Sequence, residues 1–191
     1  MRGGSIARDD LEDPTEHRER RGSAVAERLR KAVSLDSFFY ANVSADSGRT
    51  REAVVVAAVS ALVMGMGLML MRIVSPVWWL VGAVAWVAAV LFGGAWLLVG
   101  LGRRFGGRAD FLQILRPLGY AMAPQALGFI PLVDFIPGFV AGMVWSCACA
   151  VVAVREAHAV PTRLAVALVV APLLVLIGLA PLVGVAVSGA G

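Results

Sequence analysis

The chain has 191 residues, of which 59% are hydrophobic and only 16% are charged. Soluble globular chains are about 45–50% apolar and about 25% charged, so this composition excludes an ordinary soluble domain. The net charge of +4 does not indicate nucleic-acid binding, because ten cations and ten acids cancel within residues 1–52 and the other seven cations border apolar stretches. The sequence therefore predicts a polar head joined to a membrane-embedded body.

The head divides into two parts. Residues 1–22 are charged and have no apolar period, which predicts a disordered tail. In residues 23–46, Asp36 is a candidate cap for a second short helix, and apolar residues recur at helical spacing at Val25, Leu29, Ala32 and Val33. This pattern predicts cytosolic amphipathic helices on the inner membrane surface or under the helical bundle, with a solvated helix as the alternative.

Residues 47–191 contain five apolar stretches, each long enough to cross a bilayer core, which takes about 20 residues. The predicted fold is all-α, a polytopic membrane protein whose five transmembrane helices cover about 53–71, 77–101, 111–133, 135–154 and 164–187. With the head in the cytosol, sixteen of the seventeen cations lie on that side and only Arg72 on the other. The positive-inside rule then predicts a multi-pass protein of the inner (cytoplasmic) membrane with a cytosolic N-terminus and an outside C-terminus.

The third span carries the most distinctive pattern, a proline every seven residues at Pro117, Pro124 and Pro131. Seven residues is about two helical turns, so the prolines lie on nearly one face, and each removes a backbone donor that neighbouring protein must replace. Gly119, on the same span, is also predicted to have a structural rather than a binding role. In an antiparallel hairpin of spans three and four, Gln125 lies level with Trp145, and we expect the buried amide and indole to bond each other.

The fourth span has a ridge of small residues at a spacing of four, formed by Gly138, Gly142, Ser146 and Ala150. Such ridges let helices approach closely, so this one is the expected surface for any oligomer. The two cysteines, Cys147 and Cys149, are two positions apart on the same span. Side chains at that spacing point apart on a helix, which predicts small apolar fillers and no disulfide.

Catalytic chemistry has little support in this sequence. No Asp, Glu, Lys or His lies within the apolar core of any predicted span, whereas intramembrane enzymes and ion-coupled carriers need polar groups at that depth. The chain also lacks a phosphate-binding glycine loop with lysine, a His-Glu-x-x-His motif and clustered metal ligands. The sequence therefore predicts a non-enzymatic protein with no catalytic residue, cofactor or metal.

Polar residues at the inner border of spans three and four form the candidate contact site, which comprises Arg116, Tyr120, Arg155, Glu156 and His158. Arg116 is expected to have Glu156 as its nearest acid. Two interpretations are open. The charged group at the end of span four complements the negative end of a helix dipole, or it contacts lipid headgroups or a partner protein.

The run from Arg116 to Gln125, RPLGYAMAPQ, followed by Trp145 and by Arg155-Glu156-Ala157-His158, resembles the Yip domain family, and in particular its bacterial branch. These are membrane proteins named for interacting with Ypt/Rab GTPases, and the resemblance covers roughly residues 25–187. It implies a non-enzymatic five-span protein. Eukaryotic relatives act in vesicle traffic, but the composition here, with Lys31 as the single lysine, is bacterial in character, so that role does not carry over directly.

The expected function is to organise the membrane or to recruit protein partners through the cytosolic face. The expected partners are the lipid bilayer and a possible protein at that face, and no nucleic acid is expected. The alternative is a small permease, channel or lipid-moving, scramblase-like protein. In that case the proline-bent third span would line a pathway, as interrupted helices do in transporters.

Overall fold

A computed structural model describes residues 14–70, 75–129 and 135–188, and most side chains within 22–126 and 138–175. Every regular element in these ranges is helical, which confirms the all-α fold. The α-helices are α1 (Pro14–Val33), α2 (Ser37–Ala45), α3 (Thr50–Leu70), α4 (Pro76–Val87), α5 (Gly94–Arg104), α6 (Phe111–Ala121), α7 (Phe135–His158) and α8 (Thr162–Ser188). A π-helical segment, Ala88–Gly93, joins α4 to α5, and 3-10 helices precede α3 (Ser47–Arg49) and follow α6 (Ala123–Phe129).

Helices α1 and α2, called the helix pair below, form the polar head. Helix α1 begins at Pro14, so residues 14–22 are helical where the sequence predicted a disordered tail. Proline suits the first turn of a helix, and the opposite charges of Glu16 and Arg20 are four residues apart, a spacing that favours helix. Residues 1–13, the rest of the predicted tail, lie outside the described residues. Asp36 caps α2 as predicted, because its carboxylate accepts hydrogen bonds from the Phe38 and Phe39 N–H groups at 3.0 and 3.1 Å.

The turn between α1 and α2 is built around Leu35, whose φ of 59° is left-handed. The Asp36 N–H bonds the Lys31 carbonyl at 3.2 Å and the Leu35 N–H bonds the Ala32 carbonyl at 3.3 Å. These two bonds are the Schellman pattern that ends a helix, in which glycine usually takes the left-handed position. The Leu35 side chain packs against the core, which offsets the strain of about 1 kcal/mol that a non-glycine residue incurs there.

Three of the described helical segments are long and apolar enough to cross a membrane by length and composition, namely Ser47–Gly67, Pro76–Arg104 and Gly138–His158. A shorter apolar segment, Thr162–Val175, belongs to α8. The predicted multi-pass membrane body therefore agrees with the structure. The count of five transmembrane helices stays a prediction.

The third predicted span, 111–133, is not one continuous α-helix. Helix α6 ends at Ala121, and a 3-10 helix follows. Pro124 explains the change, because it lacks the N–H that would bond the Tyr120 carbonyl and its ring clashes with that group. The Met122 N–H instead bonds the Gly119 carbonyl at 3.3 Å, and the Gln125 N–H bonds the Met122 carbonyl at 3.0 Å. Pro131, the third proline of the pattern, lies outside the described residues.

The core of the protein surrounds α6, whose residues Ile114 to Ala121 are all buried. Helix α7 packs against α6 and against the 3-10 helix that follows it. Gly142, Ser146 and Ala150 of the predicted ridge are buried and pack against the chain's own helices, whereas Gly138 is half-buried, and the use of this ridge by an oligomer stays a prediction. Both cysteines are free thiols, as predicted, and Cys149 is part of the core.

Helix α7 is followed by Ala159, an exposed residue with a left-handed φ of 53°. Because glycine adopts this conformation without steric cost, we expect Ala159→Gly to raise the free energy of unfolding by about 0.5–1 kcal/mol. Thermal unfolding in detergent would measure the change. The matched control is Ala141→Gly on the exposed surface of α7, which should lower stability by about 1 kcal/mol. A loss of stability in both variants would contradict the prediction.

Candidate functional site

Pro117 leaves a gap in the hydrogen bonds of α6. A proline has no N–H, so the carbonyl of Gln113, four residues earlier, loses its helical partner. The Ser44 hydroxyl, near the end of α2, donates a 3.0 Å hydrogen bond to this carbonyl. A residue of the helix pair therefore replaces the donor that the proline removed, which joins α2 to the centre of the bundle.

Arg116 of α6 bonds a carbonyl in the last turn of α2. Its side chain is buried, with 6% of the residue exposed. Its Nη1 donates to the Ser44 carbonyl at 2.8 Å, and its Nε donates to the Thr50 hydroxyl at 2.9 Å. The last carbonyls of a helix have no partner within it and carry the negative end of its dipole, so a guanidinium there satisfies both requirements. Arg116 thus links α2, α3 and α6.

Asp46 lies close enough to Arg116 for their opposite charges to interact. Its carboxylate accepts from Arg49 at 2.8 Å and from the Gly48 N–H at 3.0 Å. The hydrogen bond from Arg49, then that from Gly48, and further the positive charges of Arg49 and Arg116 hold the pKa of the Asp46 carboxyl below its usual value. Asp46 therefore remains ionised beside the buried guanidinium at neutral pH.

Side chains of α7 and α2 satisfy the end of α1. The Trp145 indole Nε1 donates to the Val33 carbonyl at 2.8 Å, and the Tyr40 hydroxyl donates to the Ala32 carbonyl at 3.0 Å. Both carbonyls belong to the last turn of α1, where the helix's own N–H groups do not reach them, and the Ala32 carbonyl also accepts from the Leu35 N–H in the turn. Burial raises the pKa of the Tyr40 phenol, so it stays protonated and able to donate. Helix α7 therefore holds α1 as α6 holds α2.

Arg155 and Glu156 contact the beginning of α2. The Arg155 guanidinium pairs with Glu156 at 2.6 Å and donates to the Ser37 hydroxyl at 2.6 Å. Both charged side chains are about one-quarter exposed. The predicted neighbour relation between Arg116 and Glu156 is therefore wrong: Glu156 pairs with its sequence neighbour, and Arg116 bonds Ser44 and Thr50 instead. Equal depth along a hairpin does not decide which faces of two helices meet.

Tyr120 contacts the helix pair through its ring. The Phe39 and Tyr120 ring centroids are 5.2 Å apart with an interplanar angle of 89°, which is a favourable edge-to-face arrangement. The Tyr120 hydroxyl is buried close to Glu52 and Arg49 and lacks a hydrogen bond of good geometry within the described part of the chain. The ring rather than the hydroxyl therefore accounts for the position of Tyr120.

His158 lies apart from this group and is only 2% exposed. The Ala109 N–H donates to its Nδ1 at 3.3 Å, so the proton of the neutral ring is on Nε2, which donates to the Leu98 carbonyl at 3.2 Å. The ring fills the space over Gly102 and Gly107, where any Cβ would overlap it. His158 therefore fixes the end of α7 to the end of α5 and is inaccessible to a headgroup or a partner.

The predicted hydrogen bond between Gln125 and Trp145 is wrong. The Gln125 Oε1 accepts from the Trp86 Nε1 at 3.0 Å, whereas Trp145 bonds Val33. Because Pro124 converts the chain to a 3-10 helix, which turns about 120° per residue rather than about 100°, Gln125 faces a different direction from the one a continued α-helix would give it. The sequence correctly predicted that a buried amide requires an indole partner but not which tryptophan supplies it.

A double-mutant cycle distinguishes the two pairings. We expect Trp86→Phe and Gln125→Leu to be coupled by about 1 kcal/mol in the free energy of unfolding, because either substitution alone leaves the other polar group without its partner. The control cycle pairs Gln125→Leu with Trp145→Phe, whose effects should add to within about 0.5 kcal/mol. Coupling in the control cycle and additivity in the first would contradict the observed pairing.

The structure thus brings four predicted site residues, Arg116, Tyr120, Trp145 and Arg155, onto the helix pair. Sequence reasoning missed their partners, which are the hydroxyl groups of Ser37 and Thr50, the carbonyls of Ser44 and Val33, and the ring of Phe39. The missing donor at Pro117 was a signal that some hydroxyl or amide must bond Gln113. Nothing in the local sequence indicated that the donor comes from a helix 69 residues earlier.

Comparison with known proteins identifies the family of this chain. No curated protein and no solved structure matches the chain. A family model described as the Yip1 domain matches residues 37–184, which begin at the first residue of α2 and extend through most of α8. This match covers well over half of the chain and agrees with its apolar helices. The chain belongs to the Yip1 domain family and is a multi-pass membrane protein.

Proposed function

We propose that this Yip1 domain protein is non-enzymatic and acts through the face formed by the helix pair, where it organises the membrane or recruits a protein partner. The observation that carries the proposal is that both helices are held to the bundle at their ends by Arg116, Trp145 and Arg155. A surface fixed in this way is preorganised, so binding to it costs less conformational entropy.

A groove of about 300 Å³ between α1 and α2 supports this assignment. Phe38 lines it and is 75% exposed, while the charged side chains around it are Glu27, Arg28, Lys31, Asp36 and Arg49. The three cations are engaged in ion pairs, with Glu52, Glu27 and Asp46. An exposed aromatic residue surrounded by balanced charges has the composition of a protein-binding surface rather than of an anion site.

Site-specific photocrosslinking in membranes tests the proposal. A crosslinker in place of Phe38 should give a discrete protein adduct, which the additional substitution Lys31→Glu weakens. The control crosslinker at Val84, which faces outward from α4, should react with lipid alone. Adducts to lipid alone at position 38 would overturn partner recruitment and favour the membrane-organising role.

The orientation of this face follows from the arginine distribution, which supports a cytosolic helix pair and an inner-membrane location. Single cysteines at positions 3 and 190 of a Cys147→Ala/Cys149→Ala background would be labelled with a membrane-impermeant reagent. We expect position 3 to be accessible from the cytosolic side and position 190 from the outside. Labelling of both positions from the same side would exclude the five-span arrangement.

The break between α6 and its 3-10 extension favours the alternative of a permease, channel or lipid-moving protein, since interrupted helices form binding sites in transporters. Against it, Pro124 and Gln125 at this break are buried against protein. Reconstituted vesicles carrying labelled lipid or entrapped solute separate the two functions. We expect flip and efflux rates equal to those of protein-free vesicles, and protein-dependent rates would favour the alternative.

A further inference from the structure

An apolar groove of about 610 Å³ lies between α5 and the first half of α8, and it shares no lining residue with the groove of the helix pair. Leu97, Leu101 and Phe105 line it from the α5 side at a spacing of four, and residues from Leu164 to Val175 line it from the α8 side. All of these side chains are apolar. In a membrane protein, an open groove of this composition faces lipid chains.

Helices α5 and α8 run antiparallel along the groove. The end of α5 and the start of α8 lie at the same end of the bundle. His158 holds the end of α7 beside Leu98, and α8 starts four residues later at Thr162. The start of α8 therefore lies beside the end of α5, and the groove extends from Leu164 toward Val175. Eleven residues separate these two positions, which gives about 16 Å at 1.5 Å per residue. This length matches one leaflet of a hydrocarbon core about 30 Å thick.

Two arginines stand at the end of the groove where α5 stops and α8 starts. Arg104 follows Leu101 by three residues and Leu97 by seven, so it lies on the lining face of α5. Arg163 precedes Ala167 by four residues and lies on the lining face of α8. Both are exposed, and neither has an ion-pair partner among the residues that the structure describes.

We propose that this groove is a binding site for an anionic phospholipid, with one acyl chain between α5 and α8 and the phosphate between Arg104 and Arg163. The groove provides apolar surface over the depth of one leaflet, and the arginines provide the opposite charge at the depth of the headgroup. Basic pockets between transmembrane helices bind anionic headgroups in this way. The two arginines beside the groove add a preference for anionic headgroups to an apolar surface that would otherwise accept any lipid.

Native mass spectrometry of the full-length protein, released from micelles with equal amounts of phosphatidylglycerol and phosphatidylcholine, tests the charge requirement. The wild-type protein should retain phosphatidylglycerol preferentially. The double variant Arg104→Gln/Arg163→Gln should lose about 25-fold in that preference, about fivefold for each arginine. The double variant Arg104→Lys/Arg163→Lys should keep most of it.

Arg103→Gln is the matched control for charge. This neighbour of Arg104 pairs with Asp110 at 3.1 Å, so its loss should leave lipid retention unchanged. An equal loss with Arg103→Gln, or equal retention of the two lipids by the wild-type protein, would overturn the proposal. Excess inorganic phosphate should not release the lipid, because the acyl chain contributes to binding. Release by phosphate would show a site for free phosphate instead.

Ala171→Trp tests the groove itself. This residue is exposed, and an indole there would fill the space for an acyl chain while leaving both arginines in place. We expect the variant to keep the unfolding temperature of the wild-type protein and to lose phosphatidylglycerol. A variant that loses a dimer rather than lipid would show that a second copy of the chain occupies the groove, and one that retains lipid would also overturn the proposal.

Discussion

Replacing Gly119 by alanine should destabilise the protein strongly. A Cβ at this position would lie 2.6 Å from the Ala53 carbonyl oxygen and 2.8 Å from its carbonyl carbon. Those atoms belong to the backbone of α3 and cannot rotate away, so α6 and α3 must separate. Overpacking of this kind costs about 3 kcal/mol, which thermal unfolding of the purified protein would detect as a large decrease in the midpoint.

Gly100→Ala is the control for this prediction. Gly100 faces outward from α5, and a Cβ there would meet no atom within 4 Å. We expect the variant to be as stable as the wild-type protein or up to about 1 kcal/mol more stable, because alanine favours helix over glycine. Similar effects of the two substitutions would contradict a close approach of α6 and α3 at Gly119.

Arg116→Ala is expected to release the helix pair from the bundle. The substitution leaves the Ser44 carbonyl and the Thr50 hydroxyl without the charged donor that each now has. Hydrogen bonds to charged groups contribute about 1.5–3 kcal/mol each, so we expect a loss of about 3 kcal/mol in the free energy of unfolding. We expect limited proteolysis to cut the turn between α1 and α2 faster in this variant than in the wild-type protein.

Two further variants define what Arg116 contributes. Arg116→Lys keeps the charge at the end of α2 but cannot donate to two acceptors from a planar fork, so its stability should be intermediate. Arg51→Ala removes an exposed cation near the same end of the bundle and should change stability by less than about 0.5 kcal/mol. If proteolysis of the turn were the same for Arg116→Ala and the wild-type protein, Arg116 would not hold the helix pair.

The features that the sequence by itself determined depend on local rules. Apolar stretches of about 20 residues indicate membrane helices whatever their neighbours, because lipid offers no partner for free backbone groups. Asp36 caps α2 because a carboxylate at that position can bond the first N–H groups of any helix. The backbone donor that each proline removes is also a local property, but Pro117 lies within α6 whereas α6 ends before Pro124, so the residue type alone does not give the end of this helix.

The pairing of the buried polar groups was decided only by the tertiary structure. The sequence shows that Pro117 leaves a carbonyl to satisfy, but the donor, Ser44, arrives from α2 through the docking of the helix pair. Trp145 bonds Val33, which is 112 residues away. Counting residues along a helix gives the depth of a residue in the membrane. Which side chains meet also depends on how each helix is rotated about its axis and on whether another segment, here the helix pair, packs between them.

His158 shows the same limit for a candidate site residue. From the sequence it ends a membrane helix beside two charged residues, where it either complements the helix dipole or contacts a headgroup or a partner protein. In the structure, its ring is enclosed by Gly102 and Gly107 of distant segments and bonded to Leu98 and Ala109. Burial and hydrogen bonding of this kind depend on segments that are remote in the chain, because only the packed fold brings their backbones to the same point.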